Sequence, residues 1–368
     1  MRFAFCLFKY FPFGGLQRDF IRIARECVLR GHQVDFFTMA WEGDIEPHAS
    51  IHIVPVKGLQ NHVRAQQFVE KIQDRLKGYD VIVGFNRMPG LDVYYAADVC
   101  YQAKARQQHG LWYRLLPRYR HWVSYEKAVF SADSHTDILL LSPAQKIAFM
   151  DCYNTPASRF HLLSPGIARD RVAPANADAI RQERRQELGL LPNELLVLFV
   201  GSGFKTKGLD RALRSLAALP YSLQDKTSLY VIGKDDEQRF KKQANRLGVT
   251  SQVKFLGGRH DVPHFLLAAD LLFHPAYHEN TGTVLLEALA SGLPVLTTES
   301  CGYAHYVIEA NAGIVLPAPF RQSDCDLGLF EMLSSLERSS WKSNALSFAD
   351  RADIYSLPER AVDFIENL

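Results

Sequence analysis

Residues 278–294 read HENTGTVLLEALASGLP, and they determine how the rest of the chain is interpreted. The apolar run just before them, LLFHP at 271–275, predicts a buried strand that ends at a proline. Thr283–Ala290 has the composition of a buried helix, Gly292 is suited to the residue that closes it, and Pro294 prevents its continuation. The pattern is therefore a strand, a polar turn and a helix.

Two carboxylates flank the start of this helix. Glu279 lies in the turn, and Glu287 lies about two turns along the helix, roughly 12 Å away at 1.5 Å per residue. A helix N-terminus carries unpaired N–H groups and a partial positive charge, so it can bind an anion such as a diphosphate. Because carboxylates accept hydrogen bonds from hydroxyls, the arrangement favours a ligand with hydroxyls on both sides of a phosphate group, as in a nucleotide sugar. Two solvated glutamates without a functional role are the simpler interpretation.

Length and composition indicate a globular protein with more than one hydrophobic core. A chain of 368 residues is too long for one ordinary core, which predicts two domains, and its formal charge of +2 points to no particular partner. Six scattered cysteines without a CxxC pair or a histidine cluster favour reduced thiols in a cytosolic protein over disulfides or a zinc site. We expect neither a signal peptide nor a membrane span, since no apolar run reaches the roughly 18 residues that a span requires.

The first half of the chain begins like a parallel α/β sheet. Apolar runs at 3–8 and 33–38 predict strands on either side of a helix over 16–30. Gly14 and Gly15 follow the first strand, where open α/β sheets bind ligands, although glycines of a tight turn would explain them equally. Their spacing is not GxGxxG, so a dinucleotide site is not indicated.

Asp98 is a candidate functional residue further along. It closes the predicted strand 94–98, where a polar side chain would point into the crevice of the sheet. An aspartate at such a position often only forms a turn or caps a helix, and that alternative stays open.

Residues 101–130 combine basic and aromatic side chains. The basic residues are Lys104, Arg106, Arg114, Arg118, Arg120 and Lys127, and Glu126 is the one acid among them. Tryptophan, tyrosine and phenylalanine are interleaved, and Pro117 is expected in the first turn of a second helical piece. The composition suits an interfacial helix on an anionic membrane. A helical hairpin whose aromatic side chains pack into the core is the alternative, and nucleic acid is disfavoured because the rest of the chain is not basic.

After a predicted linker at 164–177 the pattern restarts. The strand 195–200 is followed by a glycine-rich loop, 201–208, that carries Lys205 and Lys207 and leads into a helix. A strand, basic loop and helix form a suitable phosphate site, although the spacing is not that of a Walker A loop and a solvated basic loop is the alternative.

These motifs resemble one known family. The Glu-x7-Glu spacing of 279 and 287, with Gly282 inside it and GLPV at 292–295, resembles the retaining glycosyltransferases of family 4, which have the GT-B fold. The run FGGLQR at 13–18 is similar to that family's GG-x-[EQ]-R loop. The loop 201–208 is similar to its VG-R-x4-KG loop, in which an arginine and a lysine clamp the diphosphate. Lys207 matches the lysine, whereas Ser202 stands in place of the arginine, a charge that Lys205 is expected to supply.

The resemblance implies an α/β fold of two Rossmann-like domains that face a cleft. The expected acceptor and membrane-side domain spans 1–168, and the expected nucleotide-sugar domain spans 169–349. By the same resemblance, the helix at about 350–368 packs back on the first domain.

Three further stretches, at 11–20, 86–94 and 301–306, resemble the branch of the family that acts on the lipopolysaccharide core of Gram-negative bacteria. That likeness implies a UDP-glucose donor, an inner-core heptose as acceptor, an α-1,3 linkage formed with retention, and no metal or other cofactor. It also implies a peripheral protein on the cytoplasmic face of the inner membrane, docked through about 101–130.

The resemblance further implies roles for particular residues. Asp98 matches loosely the place where relatives carry a histidine or aspartate near the donor sugar, and relatives hold the base with backbone groups near Arg259. The expected catalytic residues are Glu279, Lys207 and Asp98. The expected donor-binding residues are Gly14, Gly15, Lys205, Lys207, Arg259, Glu279, Thr281, Gly282, Thr283 and Glu287.

Several other functions fit parts of the sequence. A family 4 enzyme with another UDP-sugar donor or another lipid-linked glycan acceptor is the nearest, since galactose and GlcNAc differ little from glucose. A sugar-nucleotide epimerase would bind the same UDP without an acceptor. A membrane-binding module without enzyme activity would use only residues 101–130.

Overall fold

A computed structural model describes residues 1–12, 14–44 and 49–368, with the backbone alone for Ala144. The described chain forms two compact units. The first comprises Met1–Gly166 and Ser356–Leu368, and the second comprises Ile167–Tyr355. Phe13, at the start of the glycine loop, lies outside the described residues.

The first unit contains nine strands and six helices among its described residues. Its strands are β1 (Arg2–Cys6), β2 (Lys9–Tyr10), β3 (Gln33–Thr38), β4 (Ala40–Trp41), β5 (Ser50–Ile53), β6 (Val81–Gly84), β7 (Val93–Ala96), β8 (Asp137–Leu140) and β9 (Phe160–Leu162). Its first five helices are α1 (Gly15–Leu29), α2 (Asn61–Ile72), α3 (Tyr101–Gln108), α4 (Pro117–Phe130) and α5 (Pro143–Tyr153). Short 3-10 helices span Leu111–Leu115 and Ala157–Arg159.

Seven of these strands form one parallel sheet in the order β5-β3-β1-β6-β7-β8-β9, and β2 pairs with β4. Strand β1 is buried on both faces. Phe3 and Phe5 pack into the cluster that includes α1, whereas Ala4 and Cys6 pack into the cluster that includes α2 and α4. This two-sided burial explains why the strands of a parallel sheet read as continuous apolar runs rather than alternating ones.

The second unit has six strands and nine helices among its residues. The helices are α6 (Ala177–Glu187), α7 (Leu209–Ala218), α8 (Tyr221–Gln224), α9 (Gln238–Arg246), α10 (Val262–Ala268), α11 (Thr283–Ala290), α12 (Ala304–Glu309), α13 (Gln322–Ser334) and α14 (Arg338–Arg351). The strands are β10 (Leu195–Val200), β11 (Thr227–Ile232), β12 (Val253–Phe255), β13 (Leu271–His274), β14 (Val295–Thr298) and β15 (Gly313–Leu316). Short 3-10 helices span Arg169–Arg171 and Thr250–Gln252.

These six strands form a parallel sheet in the order β12-β11-β10-β13-β14-β15. Counted along the chain this is the order 3-2-1-4-5-6 of the Rossmann fold. The order reverses between β10 and β13, and open sheets of this kind bind ligands beyond the carboxyl ends of the strands at that position.

The last helix of the chain, α15 (Leu357–Ile365), belongs to the first unit. Its apolar face, which includes Val362 and Ile365, is buried in the cluster that contains α1. At the end of α1, Arg30 Nη1 donates to Asp363 Oδ1 at 2.7 Å and to Glu366 Oε2 at 2.9 Å. The final helix is thus held by packing and by ion pairs.

Most of the elements predicted from the sequence are confirmed. The strands over 33–38 and 195–200 and the helix α11 have the predicted bounds. Strand β7 differs, because it ends at Ala96 and Asp98 lies in the loop beyond it. In the part of the chain that the structure describes, no helix has the length and apolarity that crossing a membrane requires.

Candidate active site

The candidate site of the second unit lies where its strand order reverses. Two loops meet at this point, Gly201–Gly208 after β10 and residues 275–282 after β13. Both follow the carboxyl ends of parallel strands, so their side chains share one edge of the sheet. The predicted basic loop and the predicted Glu279 turn are therefore neighbours.

Glycine 208 allows the two loops to touch backbone to backbone. It has a φ of +81°, and a Cβ at this position would lie 1.9 Å from the Pro275 carbonyl oxygen. The Tyr277 N–H donates to the Thr206 carbonyl at 2.8 Å. The buried Arg211 of α7 donates from Nη1 to the carbonyls of Pro275 (3.1 Å) and Ala276 (2.9 Å). These contacts join the two loops into one platform.

Lys207 and Glu279 form an ion pair on this platform, with the Lys207 Nζ donating to Glu279 Oε2. Both side chains are largely buried, at 21% and 18% exposure. Burial alone would raise the pKa of Glu279, but the neighbouring His274 imidazole and the positive charge of Lys207 outweigh it and lower the pKa to about 2. Glu279 is therefore a carboxylate at every physiological pH.

The backbone of Glu279 is fixed by the loop that follows β14. Glu279 forms an isolated parallel bridge with Cys301, in which its N–H donates to the Ser300 carbonyl at 3.2 Å and its carbonyl accepts from Gly302 N at 3.1 Å. The Tyr303 N–H donates to the Thr281 carbonyl at 2.7 Å. These bonds fix the backbone of residues 279–281 against the loop after β14, and this limits the directions in which the Glu279 side chain can point.

Helix α11 begins immediately after this turn. Gly282 is its N-cap and has a φ of +85°, a left-handed conformation that glycine adopts without strain. Thr283 is the first helical residue, so the N–H groups of the first turn open at the same edge as Lys207. A cationic side chain and the positive end of a helix lie together, which favours an anion.

Glu287 has a different environment from Glu279. It lies in the middle of α11, is 7% exposed, and its Oε1 is 4.0 Å from Arg171 Nε. Ser291 Oγ donates to the carbonyls of Glu287 (2.9 Å) and Arg171 (3.1 Å), which fastens the Arg169–Arg171 segment to the helix. The sequence indicated only the two glutamates, and the arginine facing Glu287 was not predicted.

Two predicted cations have other partners. The Lys205 Nζ donates to the buried Asp210 Oδ2 and to the Tyr277 hydroxyl, both at 3.0 Å. Arg259 forms a two-pronged pair with Asp261, from Nε at 2.7 Å and from Nη2 at 2.8 Å, and hydrogen bonding from Arg259 lowers the pKa of Asp261. The structure therefore brings Lys207, rather than Lys205 or Arg259, to Glu279.

The predicted residues of the first unit lie at the carboxyl side of its sheet. Gly14 is the N-cap of α1 and Gly15 is the first helical residue. A Cβ at residue 14 would lie 1.8 Å from the Gln17 Oε1, so glycine makes room for that side chain. Asp98 is 57% exposed, and its Oδ2 is 3.6 Å from Arg87 Nη2.

Family models match both halves of the chain. Residues 13–171 match the model described as Glycosyltransferase Family 4, and residues 180–346 match the one described as Glycosyl transferases group 1. The lipopolysaccharide glucosyltransferase WaaG of Escherichia coli K12 is 48% identical over 98% of this chain and 98% of its own length. The chain belongs to family 4 of the glycosyltransferases. It is an enzyme, a hexosyltransferase, as the sequence predicted.

Solved structures agree with this membership. A crystal structure of WaaG, described as a glycosyltransferase involved in lipopolysaccharide biosynthesis, is 47% identical and has a TM-score of 0.94 over 99% of both chains. The structure of Anabaena Alr3699/HepE is 20% identical, with a TM-score of 0.77 over the full length of both, and this likeness concerns the fold alone. The predicted GT-B class with two Rossmann-like units is confirmed for this glycosyltransferase.

Sequence reasoning missed two buried residues of this glycosyltransferase. His274, the last residue of β13, lies 3.8 Å from Glu279 through its Nε2, although the sequence marked it only as part of an apolar run. Glu126 was noted only as the one acid of a basic stretch. It is fully buried, pairs with Arg87 and accepts from the N–H groups of Tyr101 (2.8 Å) and Gln102 (2.9 Å) at the start of α3. A single acid among many bases was the available signal.

Proposed function

We propose that the enzyme transfers glucose from UDP-glucose to the inner-core heptose of lipopolysaccharide, forming an α-1,3 linkage with retention of configuration. The observation that carries the proposal is the Lys207–Glu279 pair beside the N-terminus of α11, at the point where the strand order reverses. The full-length similarity to a lipopolysaccharide glucosyltransferase supports the choice of donor and acceptor.

In this proposal the Lys207 ammonium leaves Glu279 and binds the diphosphate of the donor. The ammonium and the first N–H groups of α11 then stabilise the negative charge that develops on the departing UDP, the electrostatic contribution that usually dominates catalysis. The freed carboxylate of Glu279 accepts hydrogen bonds from glucose hydroxyls. In the free enzyme the pKa of Glu279 is about 2, so the side chain is already ionised when it meets the donor at neutral pH.

We assign supporting roles to the other residues near this edge. Glu287 accepts from the ribose hydroxyls, with Arg171 limiting its movement. Lys205 contributes positive potential, although its ammonium is partly neutralised by Asp210. The backbone of the loop that carries Arg259 contacts the base. We propose that these cationic groups neutralise the diphosphate without a metal ion or any other cofactor.

In the first unit, we propose that Gly14 and Gly15 let the start of α1 approach a phosphate or the acceptor. We propose that the Asp98 carboxylate accepts a hydrogen bond from the transferred sugar. In the proposed reaction the acceptor hydroxyl attacks the face that the phosphate leaves, and a phosphate oxygen takes its proton. Retention follows from attack on that face.

The segment 101–130 supports docking on an anionic membrane. Leu111, Trp112 and Leu115 are 75%, 68% and 67% exposed at the turn between α3 and α4. The six basic side chains of the segment are exposed as well. Apolar tips ringed by cations suit a headgroup interface, where each cation adds about 1 kcal/mol.

Other aromatic residues of the segment face inward, as the alternative interpretation expected. Tyr119, Tyr125 and Phe130 are buried, and the Tyr113 hydroxyl lies 3.1 Å from that of Tyr101. The buried aromatic residues fasten the segment to the first unit. The exposed turn with Leu111, Trp112 and Leu115 is available to contact a membrane. We therefore propose a peripheral location on the cytoplasmic face of the inner membrane.

The test is transfer from a panel of UDP-sugars to purified, truncated core lipopolysaccharide. We expect turnover with UDP-glucose, and a loss of roughly 10²–10³-fold in kcat for Glu279→Ala, the size of effect seen when one group that stabilises a transition state is removed. Glu309→Ala, which removes an exposed carboxylate of the same unit, is the control. Full activity of Glu279→Ala, or preference for another sugar, would contradict the proposal.

Two further measurements separate the alternatives. UDP-glucose incubated without acceptor should give no isomeric sugar nucleotide, whereas an epimerase would form one. Replacement of Trp112 and Leu115 by serine should abolish sedimentation with vesicles that contain phosphatidylglycerol and leave UDP-glucose affinity unchanged. Equal vesicle binding by wild type and variant would remove the exposed turn from the membrane contact.

A further inference from the structure

A buried imidazole lies beneath the proposed sugar-binding carboxylate. His274 is 0% exposed at the end of β13, and its Nε2 is 3.8 Å from Glu279 Oε2. Among the described residues neither of its ring nitrogens has a partner within hydrogen-bonding geometry. Buried polar groups are nearly always hydrogen-bonded, so this imidazole requires an explanation.

The ring and the backbone of His274 contact different neighbours. The Phe199 ring stacks on it with a centroid distance of 6.2 Å and an interplanar angle of 24°. The Thr297 Oγ1 donates to the His274 carbonyl at 3.0 Å and to the neighbouring Cys301 Sγ at 3.3 Å. The ring is fully buried and the His274 carbonyl is bound by Thr297, whereas the Glu279 side chain is 18% exposed and is therefore the part that we expect to close the 3.8 Å gap.

The charges around the imidazole favour an N–H directed at Glu279. The titratable groups that face it are Glu279 from the turn after β13, Cys301 from the loop after β14, and Lys207 from the loop after β10. Burial lowers the pKa of His274 and Lys207 acts in the same direction, but interaction with Cys301 and Glu279 raises it overall. A ring N–H is therefore available to the carboxylate.

We propose that His274 is a positioning residue that orients Glu279 by donating Nε2–H to its carboxylate when Lys207 turns to the donor diphosphate. The inference rests on the proposed function, in which Glu279 holds glucose hydroxyls. A largely buried carboxylate that loses Lys207 needs another donor, and His274 is placed to supply it. A movement of about 1 Å brings the 3.8 Å separation to an ordinary N–H···O distance of about 2.9 Å. Catalytic hydrogen bonds that are long in the free enzyme often tighten in this way when substrate binds.

The test compares His274→Gln with His274→Phe. The glutamine amide places a donor near the position of the imidazole Nε2, whereas phenylalanine keeps the stacking on Phe199 without a donor. We expect both variants to bind UDP as the wild type does, because UDP lacks the sugar. His274→Phe should lose at least tenfold in kcat/KM for UDP-glucose, and His274→Gln should retain most of it.

The pH profile distinguishes positioning from a purely structural role. Without a donor from His274 the pKa of Glu279 in the donor complex rises, so the acid limb of kcat should move to higher pH in His274→Phe and stay near the wild-type position in His274→Gln. His161→Phe is the matched control, because it removes a histidine that hydrogen-bonds Asp137 at 2.8 Å in the first unit. We expect no change in that variant.

Each other outcome overturns a stated claim. If His274→Phe equals the wild type in kcat/KM and in the acid limb of kcat, the positioning role is refuted while the proposed function stands. The role is also refuted if both His274 variants lose activity equally and their melting temperatures fall together. If the wild type transfers no sugar from any UDP-sugar, the proposed function fails and the role falls with it.

Discussion

Replacing Glu279 by glutamine should destabilise the second unit in a manner that depends on pH. The side chain is 18% exposed, and its pKa lies near 2 instead of the ordinary 4.5. One pKa unit corresponds to 1.36 kcal/mol, so the ionised form contributes about 3 kcal/mol to folding at pH 7. Glutamine keeps the shape and removes the charge, so the variant loses this contribution.

The direction of the pH dependence follows from the lowered pKa of Glu279. A carboxylate whose pKa is lowered by folding stabilises the protein above its unfolded pKa of 4.5, and the contribution is lost as the pH falls from 4.5 toward 2. At pH 3.5 it should amount to about 2 kcal/mol. The difference between wild type and Glu279→Gln is therefore expected to shrink by about 1 kcal/mol between pH 7 and pH 3.5.

Urea unfolding followed at Trp341 measures this difference in unfolding free energy for the second unit of the chain. Trp341 lies in α14 and is the one tryptophan of the sequence between residues 167 and 355, so fluorine NMR of 5-fluorotryptophan protein follows the second unit alone. Asp178→Asn is the control. It removes an exposed ion pair with Lys342, which lies in α14 like Trp341, and it should not change the free energy of unfolding measurably. An equal loss of stability at both pH values would refute the reasoning, since it would mean that packing rather than charge is lost.

Two further predictions concern the backbone contact and the buried acid. Gly208→Ala should unfold at lower urea than Gly189→Ala and should lose UDP affinity, because both positions have a positive φ but only the Cβ at 208 would meet the Pro275 carbonyl oxygen, at 1.9 Å; equal midpoints in urea would contradict the close approach. Glu126→Leu should destabilise the first unit by about 3–5 kcal/mol in thermal or urea unfolding, because it removes the buried carboxylate that pairs with Arg87 and leaves only the exposed Asp98 at 3.6 Å. A loss below about 1 kcal/mol would show that the Arg87–Glu126 pair is dispensable.

The helix and strand around the Glu279 turn were predictable because their signals are local. Pro275 follows the last residue of β13, Gly282 is the N-cap of α11, and Gly292 lies just after the end of α11 with a φ of +72°. Each depends on backbone chemistry that the residue type alone reveals. The repeat of strand, loop and helix after residue 195 predicted a second α/β unit for the same reason, and the family resemblance implied that this unit is Rossmann-like.

The pairing of side chains was not predictable from local patterns. Lys205 and Lys207 are two residues apart in one basic loop, and the sequence did not show that Lys205 would meet Asp210 and Tyr277. Equally, spacing along a helix indicated the separation of Glu279 and Glu287 but not the arginine that Glu287 faces. These partners come from other elements, and only tertiary packing brings them to the site.

Strand order is the physical reason why this site forms from distant residues. Lys207 and Glu279 are 72 positions apart, but they follow β10 and β13, which are neighbours where the order 3-2-1-4-5-6 reverses. Any chain with this order brings those two loops together, so the location depends on topology rather than on the loop sequences. The loop sequences decide only how closely the backbones approach, and Gly208 allows the contact that puts the Lys207 ammonium within reach of the carboxylate. In the mechanism that we propose, a donor diphosphate at this edge competes with Glu279 for one cation, and the free energy of that exchange enters the donor affinity.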